Sequence, residues 1–165
     1  MDKWIAYTDP TFWVMEYTKR RNLNRGYMKL EAWRRGRDLF GMGFHLSRCV
    51  TDLKLKSQLR DAAQSVSANI AEGYGRRSLP EYLQFLYIAK GSMAETLTRA
   101  IGFRNVKLIS DKEFEELDAL HYEVENKLLK LIESLESKRG DNTWNNALPA
   151  SRSINPKIQQ STFPG

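Results

Sequence analysis

The chain has little with which to build covalent or metal-based chemistry. It holds one cysteine, Cys49, and two histidines, His45 and His121, among 165 residues. A single thiol forms no internal disulfide, and no Cys/His cluster has zinc spacing, so the sequence predicts one domain, cored by apolar burial alone, in a reducing compartment. No stretch approaches the roughly twenty apolar residues of a membrane span, and the N-terminus lacks the basic-then-apolar order of a signal peptide. These absences predict a soluble, cytoplasmic protein with no membrane partner. Gly73-Tyr74-Gly75-Arg76 follows a helix and lacks Gly-Lys-Ser/Thr, which argues against a phosphate loop. No cofactor motif or metal site is expected.

Helical periodicity is what the sequence does have. Leu55, Leu59, Ala62, Val66 and Ile70 recur at three- and four-residue steps, the mark of an amphipathic helix. Ser65, Asn69 and Glu72 form a polar stripe roughly a quarter turn away. Gly73 or Gly75 is expected to close this helix at about Tyr74 in a left-handed conformation, leaving Arg76 and Arg77 beside its last carbonyls. Ser78-Leu79-Pro80-Glu81 reads as a capping box that opens a helix to about Val106. That helix carries Leu79, Leu83, Leu86, Met93, Leu97 and Ile101 on one face, while Phe85 and Ile88 point elsewhere. Being apolar on two sides, it is predicted to be buried on two sides, the second against another subunit.

A second capping box, Ser110 to Glu113, opens a last helix with Leu117, His121, Val124, Leu128, Leu131 and Leu135 at heptad-like spacing, a bundle seam. A core histidine is the expected role of His121. The first bundle helix is expected from about Lys29 to Val50, with Ala32, Gly36, Leu39, Gly43, Leu46 and Val50 in one stripe. Each interior glycine costs about 1 kcal/mol relative to alanine, so this helix depends on close packing. Asp9-Pro10 predicts the start of a short helix through Tyr17. The pattern thus divides into an aromatic and basic extension, 1–28, an all-α up-down antiparallel four-helix bundle, 29–138, and a flexible tail, 139–165.

The run from Ser65 to Ser78, followed by Glu81-Tyr82-Leu83-Gln84-Phe85-Leu86-Tyr87-Ile88-Ala89-Lys90-Gly91-Ser92 and Glu95, resembles the four-helix-bundle family named after proteins encoded in bacterial 23S rRNA intervening sequences. With Leu30 to Trp33 ahead and the last helix behind, the resemblance covers about residues 29 to 138. It implies an up-down bundle that assembles into a homo-oligomeric ring, commonly a pentamer, and offers no established activity. A distant similarity to the accessory variability protein of diversity-generating retroelements implies a basic pentamer that binds nucleic acid and a reverse transcriptase. Relatives usually carry alanine where Gly36 stands, and many would begin near Met28, which makes Met28 a candidate start. The aromatic extension before it is read as genuine.

Charge is unevenly distributed along a chain of net charge +6. Lys19, Arg20, Arg21, Arg25, Lys29, Arg34, Arg35 and Arg37 face only Glu31 in the early region, whereas the last helix is rich in Asp and Glu. Such a basic segment favours a polyanionic partner. Lys19, Arg20, Arg21, Arg25, Arg34, Arg35, Arg76 and Arg77 are the candidate nucleic-acid contacts. The aromatics Trp4, Tyr7, Phe12, Trp13, Tyr17 and Tyr27 would stack on unpaired bases. The plainer alternatives are that these aromatics cover a groove of the bundle, that the early arginines face water, and that Arg76 and Arg77 serve capping and subunit salt bridges.

Ser65, Asn69, Glu72, Ser92 and Glu95 are expected to meet between the second and third helices as a structural polar network. No constellation supplies both a reactive group and its activator, so no catalytic residue is expected. The favoured function is a non-enzymatic ring that binds RNA or DNA as an accessory to a reverse transcriptase or an RNA-processing protein. The alternative is a protein-interaction scaffold without nucleic-acid binding.

Overall fold

A computed structural model describes residues 23–140; the predicted helix after Pro10 and the residues beyond Gly140 lie outside them. Four α-helices follow one another: α1, Glu31–Leu46; α2, Leu53–Tyr74; α3, Leu79–Asn105; and α4, Asp111–Gly140. A 3-10 turn, Leu23–Lys29, precedes α1, and another, Ser47–Cys49, follows it. Each helix packs on its two neighbours in the cycle α1, α2, α3, α4, giving the expected all-α antiparallel bundle.

The helix starts are written in short polar motifs. Asp52 accepts from the Leu55 N–H at 2.8 Å to open α2. At α3, the Ser78 hydroxyl accepts from the Glu81 N–H while the Glu81 carboxylate accepts from the Ser78 N–H. Ser110 and Glu113 repeat this exchange at α4. Helix α1 has no side-chain cap. Its entry is fixed instead by the preceding 3-10 turn, through Leu30 N–H to the Tyr27 carbonyl and Arg34 Nε to the Met28 carbonyl, at 2.9 and 3.0 Å.

The left-handed glycine expected at the end of α2 is absent. Gly75 is right-handed, with φ −79°, and the helix closes through tight bonds from Gly75 N–H to Glu72 and from Arg76 N–H to Gly73. Gly73 serves packing instead, because a Cβ there would stand 2.7 Å from Phe85 Cβ and 2.8 Å from Tyr82 Cδ2. The left-handed position belongs to Lys107, φ 59°, after α3. The Lys107 and Leu108 N–H groups bond back to the Arg104 and Phe103 carbonyls, a Schellman closure with lysine where glycine is commonest.

The core follows the apolar stripes to within about one residue. Ala32, Leu39, Leu46 and Val50 of the first stripe meet Leu59, Val66 and Ile70 of α2. Helix α1 ends four residues before Val50 because Ser47 Oγ bonds the Phe44 carbonyl and accepts from Arg60 Nε, tightening the last turn. On α3 the buried row is Leu86, Ala89, Met93, Thr96, Ala100 and Phe103. Ile101 is 42% exposed and Leu97 only partly buried, since each lies one position, about 100° of rotation, past that row. On α4 the buried side chain after Leu128 is Ile132, and Leu131 lies beside it. A straight helix advances at 3.6 residues per turn, so the heptad-like row drifts by one position. His121 is a core residue as predicted, donating from Nε2 to the Met93 carbonyl at 2.9 Å across the α3–α4 seam. Among the described residues, no helix is long and apolar enough to cross a membrane.

Candidate nucleic-acid interface

Helix α1 is the shortest of the four, 16 residues against 30 in α4. At about 1.5 Å per residue it falls roughly 20 Å short of α4, and the 3-10 turn Leu23–Lys29 ahead of it packs against both α1 and α2. This is where aromatic and basic side chains gather. The Tyr27 ring meets Trp33 edge to face at 5.2 Å and Tyr74 at 6.3 Å, and Tyr74 meets Tyr82 at 6.1 Å. Arg37 lies over Trp33 and Arg76 over Phe85, 5.9 and 4.3 Å from the ring centres. Tyr82 is buried, and burial first, then the neighbouring Tyr74, pushes its hydroxyl well above the usual tyrosine range. Tyr74 remains 38% exposed. It crosses Gly26 so closely that a Cβ on that residue would collide with the Tyr74 hydroxyl.

The predicted contact residues divide three ways. Lys19, Arg20 and Arg21 lie outside the described residues. Arg25, Arg34, Arg76 and Arg77 belong to the segments that meet at this end, the 3-10 turn, the start of α1 and the α2–α3 connection. Arg35 turns towards α4 and pairs with Glu123 at 2.9 Å as well as with Asp38. Arg34 holds Glu31 at 3.0 Å and Arg76 holds Glu72. Exposed pairs of this kind contribute only about 0.3–0.5 kcal/mol, so a phosphate can replace the acid at small cost. Arg25, Lys29 and Arg77 form no ion pair with another described residue.

The charge division seen along the sequence does not survive as a division in space. The cyclic packing sets basic α1 beside acidic α4, where Arg35 and Glu123 join them.

Among the described residues, Ser65, Asn69, Glu72, Ser92 and Glu95 do not join in the predicted network between α2 and α3. Asn69 donates to the Ser65 carbonyl at 2.7 Å and Ser92 to the Ile88 carbonyl at 3.1 Å, both within their own helices. Glu72 pairs with Arg76, and Glu95 with Arg99. The two carboxylates are about half exposed, 53% and 50%, and so carry no desolvation cost that calls for a partner across the seam. The α2–α3 link passes instead from Arg99 Nη1 to Gln58 Oε1 at 2.8 Å. Arg99 stands four residues after Glu95, a spacing that signals the pair; Gln58 had no such signal.

Tyr74 is the residue of this region that sequence reading missed. Its only mark was its place between Gly73 and Gly75, just ahead of Arg76 and Arg77. Among the described residues, no three His, Cys, Asp or Glu side chains converge to hold a metal ion.

Fold and site together define a helical-bundle protein with one aromatic, arginine-rich end. The family model of the 23S rRNA-intervening sequence protein matches residues 28–130, and the chain belongs to that family. The match runs from Met28 to Lys130 within α4 and leaves Gly26, Tyr27 and the last turns of α4 outside it. A comparison with curated proteins finds no match.

Proposed function

We propose that the protein is a non-enzymatic homo-oligomer that binds nucleic acid, RNA foremost, as an accessory to a reverse-transcribing or RNA-processing enzyme in the cytoplasm. The observation that carries this reading is the meeting of Arg25, Lys29, Arg34, Arg76 and Arg77 on the segments that form one end of the bundle, beside the Tyr27 and Tyr74 rings, of which Tyr74 is 38% exposed. Lysine and arginine there displace counterions from phosphates, and affinity falls steeply with salt. Several copies in one assembly would present such ends together and raise the effective concentration for a long strand.

Self-association is supported by the outer face of α3. Tyr87, Ile88 and Ile101 are 48, 44 and 42% exposed there. Gly91 and Gly102 have no neighbour within 4 Å that would explain a glycine, although each costs its helix about 1 kcal/mol. A second copy's helix packed on this face would account for both features, and a closed pentamer is the arrangement the family resemblance favours.

The test is titration of a fluorescent RNA hairpin and a DNA strand of equal length at low and physiological salt, with assembly mass recorded on the same sample. Binding with a steep salt slope is expected, and it should weaken by about tenfold or more in the double variant Arg76→Glu, Arg77→Glu at unchanged mass. Absence of binding at low salt from an assembled sample would leave the scaffold reading. That alternative has its own support in the acids already held by Arg34, Arg35 and Arg76.

A further inference from the structure

We infer that the aromatic end of the bundle takes unpaired nucleotides, with the Tyr74 ring as a stacking platform for a base and the Arg76–Arg77 turn as its phosphate clasp. This rests on the nucleic-acid reading above and adds what part of the nucleic acid is recognised. The argument begins with the ring's setting. Tyr27 and Tyr82 both meet Tyr74 in T-shaped contacts, at interplanar angles of 68° and 84°, and these two contacts hold its plane. Tyr82 is itself buried and neutral, and the close crossing over Gly26 blocks a swing towards the 3-10 turn. The ring remains 38% exposed, and one held in this way loses little side-chain freedom when a base arrives.

The charge lies two and three residues further along the same turn. Arg76 is anchored by Phe85 and Glu72, while Arg77 is exposed. A duplex offers such a site only its phosphates, because its bases are stacked on one another. A single strand offers both a phosphate and a free base face. Stacking accepts any base, so the site favours unpaired strands without reading sequence.

The experiment uses the full chain, a fluorescent unstructured uridine oligonucleotide and a fully paired RNA duplex of equal length, each at two salt concentrations. The single strand is expected to bind more tightly than the duplex. Tyr74→Leu should weaken the single strand about fivefold or more, the low end of base–aromatic stacking, with the duplex affinity and both salt slopes unchanged. Tyr74→Phe keeps the ring and should stay within about twofold of the parent. Gly26→Ala crowds the ring without removing a charge and should follow Tyr74→Leu; it provides the same reading if the leucine variant fails to fold. Equal binding of strand and duplex, with these variants neutral, overturns the stacking inference and leaves the nucleic-acid reading standing. Binding of neither probe at low salt overturns both.

Discussion

Between α1 and α2, glycine marks contact; on the outer face of α3, glycine marks open space. A Cβ on Gly36 would stand 3.2 Å from Val66 Cγ1, and one on Gly43 would stand 3.1 Å from Ala63 Cβ, whereas Gly91 and Gly102 meet nothing within 4 Å. The residue type and its helix-weakening cost are the same in both regions. In the first the cost is offset by two backbones approaching closely enough to bury Val66 and Ala63 completely. In the second, no atom of the described residues comes close enough to offset it. The difference is one of surroundings: the same residue lies in a close helix contact in one region and on an outward face in the other.

The strongest way to break that comparison is at Gly73, the tightest of the glycines within the four α-helices. Its missing Cβ would press on Phe85 Cβ and lie 3.2 Å from the Tyr82 carbonyl oxygen, a backbone atom unable to swing aside. Gly73→Ala is therefore expected to lower unfolding stability by about 2–3 kcal/mol, the cost of overpacking a close-packed site, measured by denaturant titration. A neutral outcome would mean that α2 and α3 slide apart easily and that close approach is not why glycine stands there.

Next in size is the joint variant Gly91→Ala, Gly102→Ala. Each alanine should raise helix stability by up to about 1 kcal/mol because no atom stands in its way. If α3's outer face meets a second copy, sedimentation should at the same time show weaker assembly. A stabilised variant of unaltered mass removes α3 from the subunit contact.

The smallest effect is expected at Lys107, which adopts a left-handed conformation without being glycine. Lys107→Gly should stabilise the α3–α4 connection by about 1 kcal/mol, since the left-handed geometry costs a side-chain-bearing residue roughly that much. Thermal melting reads the change; a loss of stability would show that the lysine side chain does more at this turn than tolerate its backbone.

Much of the fold was legible because helix boundaries and faces are local properties. Ser78-Glu81 and Ser110-Glu113 announced their helices through a reciprocal exchange of hydrogen bonds that involves no distant residue. The apolar rows were right except at Leu55, which is 39% exposed in the first turn of α2, and where one position of rotation separates Leu131 from Ile132, Leu97 from Thr96 or Ile101 from Ala100. What a residue meets across a seam is not local. Gly73 looked like a turn former because glycines often end helices; its reason for being glycine lies on α3, in Phe85 and Tyr82.

The candidate site shows the same limit. Arg76 and Arg77 drew attention through charge and Tyr27 through the aromatic run, but Tyr74 acquires its significance only from the ring contacts that bring α2 to the 3-10 turn. Likewise, the basic early region and the acidic last helix read as opposites until the bundle closes and they become neighbours.

That neighbourhood has a consequence for how the protein is made. Helices α2 and α3 are consecutive and share a short turn, so they can shelter each other's apolar faces as soon as both have been synthesised. The seam between α1 and α4, with Arg35 and Glu123 across it, joins the first and last helices of the bundle and has the largest loop to close. On a ribosome, α1 must therefore wait with one flank uncovered until nearly the whole bundle has emerged. Synthesis halted inside α4 would leave that flank open to whatever lies nearby.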